Sequence, residues 1–428
     1  MQFFSWLSFR SDSGERKFFR PLGGDERKSF KLHLLSAVCG GVSMGVVINH
    51  DYIAVNGLHA ATWQITALTM LWPISNMLAV FINHWLDSRG RYDRAVLIFG
   101  VLSRLPVALM FFSSSVNLML LLLLFFFASN SVILPAQNSI MKKRYSQSNR
   151  ARLFGWWTSA FTLFSLPMAM LAGALLDLDF QYYRILFLVE ALFGAGQAVF
   201  LSRMARGIES EVAEKSTGRG SIHFFRSLWA IFKNDRDFAW FEIYFFLYGI
   251  AFLMLLPVIP FFAIDRLGLD YQQYAMAKGV IGQIGVLLLS PFLGVRLEKL
   301  HPFRFTGIVC LLLVFFPLSM AFGNWIPDMG IVFFYIAYAV FALGMAGVRM
   351  SWNISSLHFA PPGQEATYQG LHVTMTALRA SFAPILGSVL LHVGGFSEAF
   401  LVSSGFFALS GILFLRKYRK RRAQGILV

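Results

Sequence analysis

Two apolar stretches, LMLLLLLFFF at residues 118–127 and IVCLLLVFF at residues 308–316, contain no charged residue and lie inside longer apolar segments of the 428-residue chain. A helix needs about 20 mostly apolar residues to cross the hydrocarbon core of a bilayer, whereas a barrel strand needs about 10 residues of alternating character. Neither stretch alternates. Because the backbone must satisfy its own hydrogen bonds in lipid, both stretches predict membrane-spanning helices.

The composition of the whole chain supports the same class of protein. Hydrophobic residues make up 57% of the chain and charged residues 14%, whereas a soluble domain carries about 25% charged residues. The net charge of +15 could suggest a nucleic-acid partner. The basic residues, however, form short clusters between the apolar segments, so we expect a lipid bilayer as the surroundings and no bound nucleic acid.

Cysteine and histidine give no sign of a metal site or a cofactor. Cys39 and Cys310 both fall inside predicted spans, so they indicate neither a disulfide framework nor a metal site. The first 30 residues are polar and basic and show no signal-peptide pattern. We therefore expect the first span to act as the insertion signal. Because His33, His50, His59 and His84 are scattered along the sequence, we expect no metal, no cofactor and no enzymatic activity.

The apolar pattern predicts an all-α membrane protein with twelve transmembrane helices in two pseudo-symmetric six-helix bundles. The predicted organisation is an N-terminal arm at 1–32, a first bundle at 33–203, a linker at 204–237, a second bundle at 238–418 and a basic tail at 419–428. The predicted spans are 33–55, 61–85, 95–115, 117–140, 153–176, 183–203, 238–263, 272–297, 304–323, 329–354, 370–393 and 398–416.

The positions of Lys and Arg predict the orientation. Nearly all of the 37 basic residues lie in the arm, the linker, the tail and the connections that follow the second, fourth and eighth spans. Such segments face the cytoplasm under the positive-inside rule. We therefore expect an integral protein of the plasma (inner) membrane with both termini cytoplasmic.

The two halves of the chain resemble each other. Asn138 and Asn353 have the same separation in sequence as Gly155 and Gly370, and each pair falls at equivalent spans of the two halves. An internal repeat in a protein with this many spans is typical of transporters whose binding site lies between the halves.

The connection after the second span carries a motif. Its sequence, NHWLDSRGR at residues 83–91, resembles the Gly-x-x-x-Asp-Arg-x-Gly-Arg-Arg signature of the major facilitator superfamily, with Asp87, Gly90 and Arg91 in matching positions. Asn83 replaces the first Gly, Ser88 the first Arg and Tyr92 the last Arg. A shorter echo with Glu298 follows the eighth span. The resemblance implies a transporter fold, with Asp87, Gly90, Arg91 and Glu298 acting as a conformational latch between the halves.

Ionisable residues inside spans are candidate functional residues, because charge is costly in the membrane. Arg379 lies near mid-membrane and is the main candidate for a substrate contact, followed by Arg349. Asp51 is a candidate for carrying a coupling proton. For Lys278 we favour a side chain that extends to the outer membrane surface. The remaining expectations are an Arg104–Glu190 ion pair and a Glu242 that faces the cytoplasm or its own helix N-terminus.

Polar uncharged residues complete the predicted site. Gln137, Asn138 and His372 lie in predicted spans that line the cavity in the superfamily, and Asn353 and Tyr248 occupy similar places. Trp72 is a candidate pocket wall. The nearest alternative for Tyr248 and Trp72 is ordinary helix packing or an interfacial position.

The combined pattern favours a monomeric secondary active transporter that moves a small solute by alternating access. No nucleotide-binding Gly-x-x-x-x-Gly-Lys-Ser/Thr loop occurs in the chain, so proton coupling is the expected energy source. The excess of basic residues in the spans slightly favours an anion or a molecule with an acidic group. The alternatives are a lipid or amphiphile flippase on the same fold and a membrane enzyme or assembly factor.

Overall fold

The computed structural model describes residues 23–89, 92–208, 231–285, 288, 300–352, 356–361 and 365–425. Within these ranges, the side chains at positions 76–89, 92, 131, 132, 134, 135, 138, 139, 147, 148, 151, 350, 356, 357 and 365–367 are not described. The described residues are helical nearly throughout and contain no strand. Nine of the described helices have the length and apolar content needed to cross a membrane, and a tenth, shorter apolar run lies at Val116–Asn130. The predicted all-α membrane fold is confirmed.

We number the helices in chain order. The first half contains α1 (Gly24–Gly57), α2 (Thr62–Arg89), α3 (Asp93–Phe112), α4 (Val116–Arg144), α5 (Gln147–Leu178) and α6 (Phe180–Ala205). The second half contains α7 (Arg236–Arg266), α8 (which opens with Tyr271–Ala275 and Met276–Ile281), α9 (Pro302–Trp325), α10 (Pro327–Arg349), α11 (Glu365–Ala380 and Ala383–Gly394) and α12 (Phe396–Ala423).

Each half packs around its own first helix. In the first half, α1 lies against α5 and α6, while α2 packs on α4 and α3 on α6. In the second half, α7 lies against α11 and α12, and α9 packs on α10 and α12. The two halves meet mainly where α5 contacts α8 and where α2 contacts α11. This arrangement leaves α1, α2, α4, α7, α8 and α10 around the centre of the molecule.

The ends of α1 and α7 show the internal repeat in their backbone hydrogen bonds. Both helices end in a π-helical turn, at Ile53–Gly57 and at Phe262–Arg266. After α1, the N–H groups of Leu58 and Ala60 donate to the carbonyls of Ile53 and Ala54. The same two bonds recur after α7, where the N–H groups of Leu267 and Leu269 donate to Phe262 and Ala263. The two halves therefore share a turn that the apolar pattern alone did not reveal.

Helix α1 begins earlier than the sequence predicts, at Gly24, inside the segment 1–32 that we expected to be an arm. Asp25 and Glu26 lie in its first turn, where negative charge stabilises the positive end of the helix dipole. Glu26 also accepts hydrogen bonds from the Ser146 N–H (2.8 Å) and from the Asn149 side chain (3.1 Å). These contacts hold a polar first turn that hydropathy could not identify. Most of the predicted linker 204–237 lies outside the described residues.

Candidate functional site

A cavity of about 220 Å³ lies between the two halves. Its lining comes from α1, α2 and α4 of the first half and from α7, α8 and α10 of the second. The lining residues are Val47, His50, Asp51, Leu68, Thr69, Trp72, Phe127, Leu256, Ile259, Tyr274, Lys278 and Tyr338. Because helices of both halves form its wall, a change in the angle between the halves changes the cavity itself.

An ion pair between the halves lies in this cavity. The Lys278 ammonium on α8 pairs with the Asp51 carboxylate on α1, and the side chains are 32% and 14% exposed. The Tyr274 hydroxyl donates to the same Asp51 oxygen at 3.0 Å. The Lys278 nitrogen also lies 5.3 Å from the centre of the Tyr274 ring, close enough for a cation–π interaction. Lys278 therefore does not extend to the membrane surface as expected, because a carboxylate of the other half lies within its reach.

Further hydrogen bonds join the halves at the same end of the molecule, which we call the outer face after the predicted orientation. The Asp177 carboxylate at the end of α5 accepts from the N–H groups of Tyr271 (2.8 Å) and Gln272 (2.9 Å) at the start of α8. The Tyr52 hydroxyl donates to the Leu269 carbonyl. Two free N–H groups at a helix N-terminus are a favourable site for a carboxylate. The halves are thus held together at the outer face.

His50, which lines the cavity, pairs with a buried carboxylate behind it. Its Nε2 lies 2.6 Å from Glu190 Oε2 on α6, and both side chains are almost completely buried. Arg104 instead donates to the Gly194 carbonyl (2.8 Å), Gln197 (2.5 Å) and Asn130 (3.0 Å).

The expected Arg104–Glu190 ion pair is therefore not a direct contact, although the two groups lie close enough to interact electrostatically. Glu190 takes its partner from α1, which packs closely on α6. Arg104 lies against Gly194, where the absence of a side chain exposes the backbone carbonyl to the guanidinium group.

Three predicted site residues, His372, Arg379 and Tyr248, lie close together in the core of the second half. His372 on α11 is fully buried, and its Nδ1 lies 2.7 Å from Glu242 on α7. Glu242 therefore does not face the cytoplasm or its own helix end, as expected, because α11 supplies a partner inside the bundle. Arg379 donates to the Phe245 carbonyl and to the Thr376 hydroxyl (3.1 Å).

Tyr248 completes this cluster. Its ring centre lies 5.7 Å from the Arg379 guanidinium carbon, and its hydroxyl lies 3.6 Å from the sulfur of Met345 on α10. Arg379 is 4% exposed and Tyr248 is 3% exposed. In this conformation both side chains are enclosed by α7, α10 and α11.

The remaining predicted residues lie apart. Gln137 is buried in the first half, where its side-chain nitrogen lies 3.1 Å from Nε2 of His33. Arg349 is exposed at the end of α10. Asn138 and Asp87 fall among the side chains that are not described, and the predicted residues Gly90, Arg91, Glu298 and Asn353 lie outside the described residues.

The cavity wall contains Asp51, the predicted proton carrier, and Trp72, a candidate pocket wall, together with Lys278, Tyr274 and Tyr338, which the sequence did not indicate as cavity residues. One signal was available for Lys278. It lies close to the outer end of its helix, at nearly the same depth as Asp51, and it has the opposite charge. The two tyrosines gave no signal, because the side of a helix that faces the cavity depends on its rotation within the bundle.

The sequence profile of the Major Facilitator Superfamily matches residues 34–384. The chain belongs to this superfamily. The match covers most of the chain and confirms the resemblance seen in the motif after α2. No curated protein is significantly similar to this superfamily member in sequence.

Solved structures with the same fold are transporters. A mutant of the nucleoside transporter NupG aligns with a TM-score of 0.72 at 14% identity, covering 91% of this chain and 99% of that one. The POT family transporter PepTSo aligns with a TM-score of 0.73 at 14% identity, covering 92% and 98%.

The human organic anion transporter MFSD10 aligns with a TM-score of 0.58 at 17% identity, covering 92% of this chain and all of that one. At these identities the likeness shows the fold alone. Together with the superfamily match, it indicates a membrane transporter with a small-molecule substrate.

Proposed function

We propose that this superfamily member is a secondary active transporter that moves a small solute by alternating access. The observation that carries the proposal is the cavity between the halves, whose wall contains an ion pair with its two members on different halves. Rocking of the halves would break this pair and open the cavity to the outer face.

Proton coupling is part of the proposal. Asp51 is the predicted coupling residue, and the His50–Glu190 pair lies directly beside it along α1. A carboxylate and an imidazole in a partly dry cavity are the groups most readily tuned to exchange protons near neutral pH. Protonation of Asp51 would remove its attraction for Lys278 and weaken the contact between the halves.

Spin-label distances at the outer face test alternating access without knowledge of the substrate. Leu178→Cys on α5 and Gln272→Cys on α8 would report across the contact between the halves, after replacement of Cys39 and Cys310 by Ser. We expect two distance populations in membranes, the shorter one representing the closed outer face. The control pair Phe112→Cys and Leu178→Cys lies within the first half and should give one distance.

The pH dependence of the two populations tests coupling. Acidification should increase the population at the longer distance, and Asp51→Asn, which cannot carry the proton, should remove this response. Asp328→Asn, at an exposed position of the outer face, is the matched control and should leave the response intact. A single, pH-independent distance in the parent protein would refute both alternating access at this face and its coupling to protons.

The orientation and location proposed for the transporter follow from the basic residues. Both termini and the linker would face the cytoplasm, with the protein a monomer in the plasma (inner) membrane. Cysteines introduced at Asp179 and Asp328 should react with an impermeant reagent added to intact cells, and a cysteine at Ser216 should not. Reaction at position 216 would show that the linker faces outward and that the proposed orientation is wrong.

Arg379 remains our predicted contact for an acidic group of the substrate. Its Nε atom is buried without a hydrogen-bond partner among the described residues and lies against Gly249, so a ligand would reach this donor only in another conformation. Arg379→Lys keeps the charge but loses the planar fork that binds a carboxylate at two points. Binding of an anionic solute should weaken in Arg379→Lys and further in Arg379→Ala, measured by titration calorimetry. Parent affinity in Arg379→Ala would exclude the contact.

A lipid or amphiphile flippase is the second candidate, favoured by a groove of about 520 Å³ between α2 and α11. Its lining is largely apolar and includes Trp63, Met70, Ile385, Val389 and Val393. A fluorescent phospholipid in proteoliposomes would test this activity through its accessibility to dithionite. Protein-dependent exchange between leaflets that is lost in Val389→Trp would favour the flippase over the solute transporter.

A further inference from the structure

The Asp51–Lys278 pair has a property that distinguishes it from an ordinary contact between the halves. Both members line the same cavity, and both retain some exposure to it. A small molecule in the cavity therefore lies beside a carboxylate and an ammonium group at the same time. Either group can exchange its present partner for a ligand without first leaving the cavity wall.

Opening the outer face would leave Asp51 with few partners. Its carboxylate is bound by Lys278 and by the Tyr274 hydroxyl, and both of these residues belong to α8. When α8 moves away from α1, Asp51 loses both contacts together and keeps only the Tyr52 N–H on its own helix. Lys278 loses its carboxylate in the same step. Unpaired charges in a partly buried site are costly, so each separated ion favours a ligand group of the opposite sign.

Among the described residues of the cavity wall, no other charged group relieves this cost. His50 is the remaining ionisable side chain in the lining besides the two tyrosines, and its Nε2 already faces Glu190 at 2.6 Å. Arg104 is held by the α6 backbone and by side-chain amides. A ligand with one charge would satisfy either Asp51 or Lys278 and leave the other unpaired. A ligand with both charges satisfies both.

The rest of the wall defines the body of such a ligand. Val47, Leu68, Leu256 and Ile259 are apolar, and Trp72 and Tyr338 add aromatic surface. Pockets of this kind bind an apolar body and use a few polar groups to orient it. The volume of about 220 Å³ limits the ligand to a small molecule.

We infer that the substrate is a small zwitterion with an apolar side chain, of the amino-acid class, whose ammonium group binds Asp51 and whose acidic group binds Lys278. The inference rests on the proposed transport function and specifies its substrate class. It assigns the acidic group to Lys278, which lines the cavity, in place of Arg379, which does not. By replacing each member's partner, the zwitterion lowers the cost of separating the pair and links substrate binding to the opening of the outer face.

Two matched ligand sets test the inference on the purified full-length protein by thermal shift, because a ligand that binds the folded state raises the unfolding temperature. The first set is leucine, leucinamide and 4-methylpentanoate. The second is phenylalanine, phenylalaninamide and 3-phenylpropanoate. Within each set the amino acid carries both charges, the amide only the positive charge and the acid only the negative charge. In the parent protein we expect the zwitterion to bind about tenfold more tightly than either analogue.

Single neutral variants should change the preferred ligand. Asp51→Asn leaves Lys278 without its carboxylate, so the acid should bind at least as well as the zwitterion. Lys278→Gln leaves Asp51 without its ammonium, so the amide should bind at least as well as the zwitterion. The three ligands of a set are compared on the same variant, so a general loss of stability does not affect the comparison. Asp328→Asn should keep the parent order.

Several results would overturn the inference. These are an equal effect of the acid and the zwitterion on the parent protein, an unchanged order of ligands in Asp51→Asn or Lys278→Gln, or no shift with any of the six molecules. The spin-label experiment separates this failure from failure of the transport proposal. If two distances occur while none of the ligands binds, only the zwitterion inference is lost.

Discussion

At the scale of single residues, the carboxylates inside the bundles are each placed against a basic group from another helix. Glu190 faces His50, Glu242 faces His372 and Asp51 faces Lys278. A buried charge without a partner is strongly unfavourable. The His50–Glu190 pair lies within the first half and the Glu242–His372 pair within the second, whereas the Asp51–Lys278 pair joins the halves, where we propose that it takes part in conformational change.

The Glu242–His372 pair should be strongly coupled. Glu242→Ala leaves a fully buried imidazole without its acceptor, so we expect the free energy of unfolding to fall by about 3–5 kcal/mol. Glu242→Gln keeps a hydrogen-bonding group of the same shape and should cost less. Unfolding in mixed micelles, combined with His372→Ala in a double-mutant cycle, measures the coupling. If the two single substitutions change the free energy of unfolding by amounts that add up to the change in the double variant, Glu242 and His372 are not coupled.

His301 should make stability depend on pH. It lies just before α9, and its Nδ1 accepts a hydrogen bond from the Phe303 N–H at 3.2 Å. Burial, with a smaller effect from neighbouring His358, lowers the pKa of His301 from 6.5 to about 4, and Asp237 acts in the opposite direction. Between these two values the unfolded chain binds a proton that the folded chain does not, so stability falls as the pH falls through this window.

The variant His301→Asn isolates this contribution. Asn retains the ability to cap the helix but does not titrate. The unfolding temperature of the parent protein should therefore decline more steeply than that of His301→Asn between about pH 6.5 and about pH 4. Parallel curves for the two proteins would show that His301 does not contribute to the pH dependence.

At the scale of helices, the approach of α5 to α8 depends on a residue without a side chain. A Cβ atom added to Gly173 would lie 3.0 Å from both the Gln272 Cα and the Tyr271 carbonyl oxygen. These are backbone atoms and cannot rotate away. The hydrogen bonds from Tyr271 and Gln272 to Asp177 lie at the same contact, so the length of these bonds depends on the closeness that Gly173 permits.

Gly173→Ala should weaken the closed outer face. The added methyl group would push α8 away from α5 and lengthen the hydrogen bonds to Asp177. The population at the longer spin-label distance should therefore increase. Gly155→Ala on the same helix is a matched control, because a Cβ there meets no atom within 4 Å and Ala favours helix. Equal distance distributions in the two variants would show that close packing at Gly173 does not hold the face closed.

The helices were largely predictable from the sequence, whereas the contacts of the site were not. An apolar run such as residues 118–127 determines a span by itself, because the membrane acts on local hydrophobicity. The partner of Glu190 depends on how α1, α3 and α6 are rotated about their axes. A sequence that shows Arg104 and Glu190 on neighbouring helices does not contain this rotation. Likewise, the charge of Lys278 was visible, but its contact with Asp51 required the packing of the two halves.

At the scale of the whole molecule, the described hydrogen bonds and ion pairs between the halves lie towards the outer face. They include the Asp51–Lys278 and Asp177–α8 contacts, together with a Thr66–Ser388 hydrogen bond of 2.5 Å between α2 and α11. Opening this face breaks several bonds at once. Stable alternation between two states would therefore require compensating contacts at the opposite end, predicted to be cytoplasmic, where the sequence places Asp87 and Glu298.

Asp87→Asn should impair transport while leaving the folded protein intact. Loss of the carboxylate would weaken the contacts that stabilise one of the two conformations and so shift their populations. We expect a lower rate of substrate uptake into proteoliposomes, a modest change in affinity in detergent and an altered ratio of the two spin-label distances. Parent-like uptake and populations in Asp87→Asn would remove the latch role from this residue.

The neutrality of the Asp51–Lys278 pair has an electrical consequence. A single charge that crosses the full membrane field experiences about 2.3 kcal/mol for each 100 mV. Because the carboxylate and the ammonium lie at the same depth when the outer face is closed, their contributions nearly cancel in that state. The membrane potential then exerts little net force on the pair of the empty carrier. Lys278→Gln leaves the Asp51 charge uncompensated and should make reorientation of the empty protein sensitive to voltage.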